Sequence, residues 1–239
     1  MEQLYDFELL EIKHETQDIT SFKFSPKDKS FSWQAGQYLD WQLPHDNPDD
    51  RGQRRWFSIA SAPAEGYIML SCRFSEEGST LKRHLQTLQV GATVQAKGPL
   101  GEFTADSNEL PLVLIAGGIG ITPFRSILMQ RASTGTLSNI TLIYGNKTED
   151  NIAFAQELND LVQNNSGFSC HYVTGQRIDA DIITNLVGSL EGKSYMISGL
   201  EKMVEAIETS LVERGVPKEN IRIDDFGGYD WNVATPVYQ

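Results

Sequence analysis

The chain has 239 residues, of which 40% are hydrophobic and 10% aromatic, and this is enough for two folded domains. Its formal net charge of −12 at pH 7 argues against nucleic acid or an anionic membrane as a main partner. The two cysteines, Cys72 and Cys170, cannot by themselves supply an iron–sulfur cluster or a structural zinc site, so we predict no metal site.

The N-terminal segment favours a cytoplasmic protein. Residues 1–13 lack the basic region and apolar core of a signal peptide. No apolar stretch approaches the length of a membrane span. We therefore expect the protein in the cytoplasm, with both thiols reduced.

The first half of the chain has the pattern of short β-strands. Candidate strands cover residues 5–10, 20–24, 37–43, 55–60, 66–73 and 93–97, and turn-forming residues separate them. One helix interrupts them, because Ser79 or Thr80 can cap it and Leu81, Leu85 and Leu88 fall on one face. This spacing predicts a small antiparallel β-barrel.

The second half alternates strands and helices. Candidate strands cover residues 112–116, 140–144, 168–173, 195–198 and 221–223, and candidate helices cover 123–132, 151–163, 179–187 and 200–214. This order predicts a Rossmann-like parallel sheet with helices on both faces and a ligand site at the C-terminal strand ends. We place the barrel domain at residues 1–107 and the α/β domain at 108–239.

A glycine-rich turn follows the first strand of the α/β half. The glycines are Gly117, Gly118 and Gly120. Thr122 suits the N-cap of the next helix and Pro123 its first position, so the helix N-terminus can face a phosphate. The spacing G-x-G-x-x-P departs from the dinucleotide-binding fingerprint. An ordinary tight strand-to-helix turn is the alternative.

A second group lies on one predicted barrel strand, Arg55-Trp56-Phe57-Ser58. Arg55 could pair with a phosphate, Phe57 could lie against a flat ring, and Ser58 could donate a hydrogen bond. The alternative is an amphipathic edge strand with a surface arginine.

Two further turns join strands to helices. Gly78-Ser79-Thr80 could hold a second phosphate or form a plain helix cap. Residues 198–203 end the fourth strand of the α/β half, so they should lie on the same sheet edge as the glycine turn. There the alternative is a structural glycine with Met203 in the core.

In this order the motifs resemble the ferredoxin–NADP⁺ reductase superfamily. The matching segments are Gly36-Gln37-Tyr38, Arg55–Ser58, Gly98–Phe103, Gly117–Pro123 and Tyr144–Thr148. The resemblance covers nearly the whole chain. It includes no fused four-cysteine ferredoxin segment, so electrons would leave to a separate partner.

The resemblance implies a flavin on the barrel, with FAD expected rather than FMN. It places flavin contacts at Arg55, Trp56, Phe57, Ser58, Cys72, Arg73, Gly78, Ser79 and Thr80. Arg55 and the helix start would meet the pyrophosphate, and Phe57 would pack against the isoalloxazine. Ser58 would sit near the reactive nitrogen.

The resemblance also implies a pyridine-nucleotide site on the α/β half. It places contacts at Gly117, Gly118, Gly120, Thr122, Pro123, Lys147, Gly199 and Met203. Lys147, assisted by Arg177, could pair with a 2′-phosphate and favour NADPH over NADH. A solvated lysine in a polar turn is the alternative.

Three residues would lie at the reacting rings: Ser58, Ser198 and Phe226. Ser198 stands where this family usually has cysteine beside the nicotinamide. The terminal segment resembles an ending of compact members, so Phe226 or Tyr229 could cover the flavin face. Aromatic residues packed on the last strand are the alternative.

The implied activity is an FAD-dependent NAD(P)H reductase that passes electrons to a protein or a small oxidant. Hydride transfer between stacked rings needs orientation more than an acid or a base. One alternative is an electron-transfer subunit without its own NAD(P)H turnover. Another is a flavin-free dehydrogenase, but His14, His45, His84 and His171 lie on the wrong elements for it.

The electron acceptor is not identified by the sequence. Five cations lie close together in the chain near the predicted flavin site, and they could form a positive patch for an acidic acceptor: Arg51, Arg54, Arg55, Lys82 and Arg83.

Overall fold

Alternating apolar and polar side chains form an antiparallel sheet in the first half of the chain. The computed structural model describes residues 3–105 and 110–226. The strands are β1 (Leu4–His14), β2 (Ile19–Pro26), β3 (Tyr38–Gln42), β4 (Arg54–Ser58), β5 (Ile68–Arg73) and β6 (Thr93–Leu100). Their order is β4-β3-β6-β1-β2-β5. Ile59, just after β4, forms an antiparallel bridge with Leu70 of β5, so the sheet curls into a half-barrel. The predicted antiparallel barrel fold is confirmed.

Aromatic side chains fill the half-barrel. Trp41 is buried between Phe7 and Phe24, with ring centroids 5.3 Å and 4.8 Å away. Helix α1 (Thr80–Thr87) adds Leu81 and Leu85 to the same core. Burial of these large rings dominates the stability of this sheet, because hydrophobic stabilisation scales with buried apolar area.

The second half forms a parallel sheet. Its strands are β7 (Leu112–Gly117), β8 (Ile140–Asn146), β9 (Phe168–Thr174), β10 (Ser194–Gly199) and β11 (Ile221–Asp225), in the order β11-β10-β7-β8-β9. Its helices are α2 (Ile121–Ser133), α3 (Ala155–Asn164), α4 (Ala180–Val187) and α5 (Glu201–Glu213). The near-continuous apolar strands are buried on both faces, as expected for a parallel sheet.

The direction of the strand order reverses between β7 and β10. The chain runs from β7 through β8 to β9, and then crosses to β10 and β11 on the other side. In open parallel sheets, ligands bind at such a switch point, outside the carboxyl ends of the strands. The glycine turn after β7 and the Ser198-Gly199 end of β10 lie side by side at this point.

Helix α2 begins earlier than the sequence pattern predicts. We expected Thr122 as the N-cap, but the helix begins at Ile121, with Gly120 as its N-cap. The turn over Gly118–Gly120 already has helical character, since Gly120 has φ −61° and ψ −6°. The Thr122 hydroxyl donates a hydrogen bond to the Ile119 carbonyl at 3.0 Å. Pro123 still fits, because first-turn N–H groups have no partner within the helix.

One face of α2 packs against the half-barrel. A single apolar cluster contains Ile19, Ala60 and Met69 of the barrel together with Phe124 and Ile127 of α2. The two sheets therefore share part of their core. Within residues 3–105 and 110–226, no helix combines the length and apolar character that crossing a bilayer requires.

Two glycines are packed tightly at the switch point. A Cβ on Gly120 would overlap the carbonyl oxygen of Ser198 and lie 2.8 Å from the Gly199 Cα. A Cβ on Gly117 would instead overlap the thioether of Met203, which is the far end of a flexible side chain. The start of α2 thus lies directly on the backbone at the end of β10.

We predict that Gly120→Ala and Gly117→Ala differ sharply in stability. Gly120→Ala should lower the free energy of unfolding by about 1–3 kcal/mol, because backbone atoms must separate. Gly117→Ala should cost less than about 1 kcal/mol, because Met203 can change rotamer. Urea unfolding followed by circular dichroism measures both values, and equal losses for the two variants would contradict the prediction.

Candidate functional site

The side chains of β4 lie on its two faces as the alternation predicts. Trp56 is 72% exposed, and its ring centroid is 5.9 Å from that of Tyr38. Phe57 is half-buried and packs against the barrel core. Ser58 is half-buried at the end of the strand, where β4 pairs with Tyr38. The strand therefore presents its polar groups at the edge of the barrel.

Arg55 and the N-terminus of α1 contact the same loop, residues 43–53, which joins β3 to β4. The Arg55 guanidinium donates to the carbonyls of Arg51 and Arg54, the latter at 2.6 Å. The Thr80 N–H donates to the Asp49 carboxylate at 2.9 Å. Both groups thus face oxygen acceptors, and the same donor set suits a pyrophosphate.

Asp49 was not predicted from the sequence. Burial opposes its ionisation, but hydrogen bonds from the Thr80 and Arg51 N–H groups hold the pKa of Asp49 below its usual range. The Thr80 hydroxyl lies 2.9 Å from Nε2 of His45 on the same loop. The loop contains three aspartates, and no local pattern marks Asp49 as the one that meets Thr80.

The α1 cap takes the expected form. Ser79 is buried and its hydroxyl accepts the Lys82 N–H at 3.3 Å. A Cβ on the preceding Gly78 would lie 2.9 Å from the Ser75 carbonyl oxygen, so the turn needs glycine there. The cap leaves the helix N-terminus facing the 43–53 loop.

Two adjacent residues at the end of β5 point in different directions. Cys72 is 2% exposed in the barrel core, where burial raises the pKa of its thiol to about 12. Its sulfur is therefore turned away from the predicted flavin site. Arg73 instead extends to the glycine turn, because a Cβ on Gly118 would lie 3.1 Å from Nη1 of Arg73. Asp18 holds the same guanidinium at 2.9 Å.

Ser198 and Asp224 form a hydrogen-bonded pair at the switch point, in which Ser198 is buried and Asp224 is half-buried. The Ser198 hydroxyl donates to the Asp224 carboxylate at 3.1 Å, and Ser198 has no exposed surface. Asp224 was missed by sequence reasoning, although the parallel pairing of β10 with β11 places it beside Ser198. Burial raises the pKa of Asp224 to about 6, against the hydrogen bond from Ser198 and with a further rise from Asp225.

Phe226 extends the pairing of β11 with β10. Its N–H donates to the Gly199 carbonyl at 3.0 Å, and its side chain is half-buried. A Cβ on Gly199 would lie 3.4 Å from the Met203 thioether, so Met203 lies over both Gly117 and Gly199. Tyr229 lies outside the described residues.

Lys147 and Arg177 are exposed on neighbouring loops after β8 and β9. The Gly175 N–H donates to the Lys147 carbonyl at 3.1 Å, which ties the two loops together. The sequence-predicted pair is thus brought to one sheet edge.

The cations of the predicted positive patch have acceptors within the chain, while Arg51, Arg54 and Arg83 remain exposed at the surface. Arg54 pairs with buried Asp40, and Arg51 pairs with Asp49 at 3.1 Å. Lys82 is buried, with Nζ donating to the Arg73 carbonyl at 2.8 Å. Arg83 donates to the carbonyl of Gly78.

A buried arginine on α2 connects this helix to the segment that follows β4. Arg125 donates to the Ala60 carbonyl at 2.9 Å and pairs with Glu65 and Glu157. Sequence reasoning missed it, because an arginine inside an apolar helix pattern is normally a solvated residue.

Two family models match the chain in the order of its two sheets. The oxidoreductase FAD-binding domain matches residues 6–105, and the oxidoreductase NAD-binding domain matches residues 114–209. Together with the fold, these matches show that the chain belongs to the ferredoxin–NADP⁺ reductase superfamily of flavin oxidoreductases. It is an oxidoreductase with FAD-binding and NAD(P)-binding domains.

Two relatives match most of this chain but differ in how much of their own length is matched. Flavohemoprotein A of Dictyostelium discoideum is 28% identical over 229 residues, which cover 89% of this chain and 58% of that protein. Ferredoxin–NADP reductase B of Sorangium cellulosum is 29% identical over 217 residues, covering 83% of this chain and 87% of the relative. The chain thus spans little more than half of one relative and most of the other.

A solved structure shares the fold. The flavohem-like FAD/NAD binding domain of nitric oxide dioxygenase from Vibrio cholerae superposes with a TM-score of 0.80 at 24% identity. The superposition covers 93% of this chain and 98% of that domain.

We predict a pH-dependent gain in stability for Asp224→Asn. The folded pKa of Asp224, about 6, exceeds that of an unfolded aspartate, so its stabilising contribution is complete below about pH 4 and is lost as the pH rises through 6. The free energy of unfolding of the variant, relative to the wild type, should therefore rise by roughly 2–3 kcal/mol between about pH 4 and pH 7.

The neighbouring exposed carboxylate gives the control. Asp225→Asn keeps the Asp224 carboxylate and its bond to Ser198, so its stability should follow the wild-type pH profile much more closely. Urea titrations at several pH values measure all three proteins. Parallel profiles for wild type and Asp224→Asn would contradict a raised pKa at this position.

Proposed function

We propose that this protein oxidises NAD(P)H with FAD bound on the half-barrel and delivers the electrons to a separate acceptor. The contact of Arg73 with the glycine turn carries this proposal. It brings a cation of the half-barrel directly against the turn that would bind the pyridine nucleotide. FAD, when bound, supplies hydride acceptance and release of single electrons. The matched FAD-binding and NAD-binding domains support the same activity.

The flavin half-site would use the donors that now face the 43–53 loop. Arg55 and the Thr80 N–H would hold the pyrophosphate, with Asp49 competing for that N–H. Phe57 would pack along the ring system and Ser58 would hydrogen-bond near its reactive edge. Trp56, which points to solvent, would serve the half-site through the backbone of β4.

The nucleotide half-site would be the switch point. The turn from Gly117 to Pro123 would hold the nucleotide diphosphate at the start of α2. Arg73, which the resemblance assigns to the flavin, would reach this diphosphate instead, since its guanidinium lies against Gly118. Met203 would form the apolar floor under the nicotinamide.

Ser198 and Phe226 would border the reacting rings. The hydrogen bond to Asp224 fixes the direction of the Ser198 hydroxyl, so this group can orient the nicotinamide carboxamide. Phe226 lies beside Gly199 and would have to move when the nicotinamide enters. These contacts orient rings rather than transfer protons, which is what a hydride step requires.

We also propose that the acceptor is a protein or a small oxidant. One relative's name refers to a haem and the other's to ferredoxin, so the names support the class of reaction rather than one acceptor. We further propose a domain boundary near residues 107 and 108, which lie outside the described residues. Lys147 and Arg177 would favour NADPH by pairing with its 2′-phosphate.

We predict that NADPH bleaches the flavin absorbance of the FAD-loaded protein under anaerobic conditions, and that NADH does so at higher concentration. Lys147→Ala should raise the apparent Kd for NADPH about tenfold and leave that for NADH unchanged, because it removes a charged hydrogen bond to phosphate. Lys193→Ala, at the opposite edge of the sheet, is the matched control. A protein that binds no FAD, or whose flavin neither nucleotide reduces, would overturn the proposed function.

We predict that Ser198→Cys increases the limiting rate of hydride transfer by about two- to tenfold. A polarisable sulfur makes a better contact with an aromatic ring than a hydroxyl that is held by Asp224. Stopped-flow reduction at saturating nucleotide measures the rate, and Ser198→Ala separates loss of the hydrogen bond from gain of sulfur. An unchanged or lower rate in Ser198→Cys would count against this role.

A further inference from the structure

The interface between the half-barrel and α2 contains a buried charge. Arg125 is 4% exposed within an otherwise apolar cluster. Its two terminal nitrogens donate to the two carboxylate oxygens of Glu65 at 2.9 Å and 3.0 Å. Such a bidentate pair fixes both the distance and the relative orientation of its partners.

The two carboxylates that meet Arg125 come from different parts of the chain. Glu65 lies on the turn between β4 and β5 of the half-barrel, whereas Glu157 lies on α3 of the α/β half. Glu157 accepts from Nε of Arg125 at 2.8 Å and lies 2.7 Å from its Nη2. The Arg125 guanidinium is therefore held by two sets of bonds. Those to Glu65 cross between the two halves of the molecule, and those to Glu157 stay within the α/β half.

Glu65 is itself held rigidly. Its carboxylate accepts the Tyr67 hydroxyl at 2.6 Å and the Ala62 N–H at 2.7 Å. Burial would raise the pKa of Glu65, but the hydrogen bonds from Arg125 lower it below its usual range. Burial likewise opposes the charge on Arg125, and Glu65 and Glu157 raise its pKa above the ordinary value. Both partners therefore stay charged at neutral pH.

The crossing bonds lie close in the chain to both half-sites. Arg125 also donates to the carbonyl of Ala60, two residues after Ser58, at 2.9 Å. The next residue, Ser126, donates to the Ser61 carbonyl at 2.6 Å. On the other side, the same helix begins at the glycine turn. Only a few residues therefore separate β4 from Ala60 and Ser61, and the glycine turn from Arg125 and Ser126. These two short segments are hydrogen-bonded to each other.

We propose that Arg125 is a positioning residue for hydride transfer, acting through its bidentate pair with Glu65. This inference rests on the proposed function. Apolar contacts resist separation of two surfaces but not small sliding, since the hydrophobic effect is non-directional. Hydride transfer is sensitive to displacements of about 1 Å, even when the cause is remote. The directional pair between Arg125 and Glu65 fixes the position of β4 relative to the glycine turn.

The test compares the same substitution, glutamate to glutamine, at the two residues that bind the Arg125 guanidinium. Glu65→Gln removes the bidentate crossing pair. Glu157→Gln removes the pair within the α/β half, together with a longer 3.9 Å contact to the exposed Lys13 of β1. Both proteins are loaded with FAD and reduced anaerobically with saturating NADPH and with its 4-deuterated form. FAD affinity, nucleotide Kd and the limiting rate are measured separately. Hydrogen–deuterium exchange of the segments 60–67 and 121–130, without nucleotide, gives a readout independent of turnover.

We expect Glu65→Gln to lower the limiting rate about ten- to a hundredfold, with FAD affinity within about twofold of wild type. The deuterium isotope effect should persist, and exchange in residues 60–67 should increase. Glu157→Gln should keep the limiting rate within about twofold. Arg125→Lys, which keeps the charge but loses the bidentate geometry, should slow the reaction as Glu65→Gln does.

Three outcomes would overturn the positioning role. They are a wild-type limiting rate in Glu65→Gln, equal slowing in Glu157→Gln, and slowing that appears wholly as lost FAD binding. Failure of the proposed function gives a different result, because the wild-type flavin would then not be reduced by either nucleotide. In that case the positioning proposal falls with it.

Discussion

The pair between Arg125 and Glu65 is the interaction on which the arrangement of the two sheets depends. Removing a guanidinium and a carboxylate from water is costly, and a buried pair is favourable only when every donor and acceptor is matched. Here the guanidinium meets two carboxylates and a backbone carbonyl, and Glu65 meets a hydroxyl and a backbone N–H as well. This network admits one relative placement of α2 and the β4–β5 turn. The surrounding apolar cluster then packs to fit it.

Close backbone packing imposes a second constraint at the switch point. The start of α2 can lie on the end of β10 because Gly120 has no side chain. The same approach brings Ser198, Gly199 and Met203 beside the glycine turn. A strand-to-helix turn with larger residues would separate these elements and open the crevice where a nucleotide diphosphate is expected to bind. The G-x-G-x-x-P spacing therefore serves backbone contact as well as the proposed phosphate binding.

Charge is distributed in a way that the net value of −12 does not reveal. Several cations near the predicted flavin site bond to carbonyls or carboxylates of their own chain. Asp49 accepts the N–H of Thr80, so the start of α1 already meets a carboxylate. A phosphate would replace one anion with another at this helix end. At the switch point, by contrast, Asp224 is a half-buried acid whose pKa is raised to about 6.

The sequence by itself determined the features that depend on neighbours in the chain. Strand alternation predicted the antiparallel half-barrel, the βα alternation predicted the parallel sheet, and the spacing of glycines marked the switch-point turn. Ordered motifs such as Arg55–Ser58 indicated the family. These signals are local, because side-chain periodicity and turn geometry are set within a few residues.

Only the tertiary structure decided the contacts between residues that are far apart in the chain. Arg125 meets Glu65 across 60 positions, Thr80 meets Asp49 across 31, and Ser198 meets Asp224 across 26. It also turned Cys72 into the barrel core, sent Arg73 to Gly118 and paired Arg54 with Asp40. Even the start of α2 at Ile121 depended on packing against β10. Such pairings follow from how sheets and helices meet in space, and no local pattern records which distant partner a charged side chain will reach.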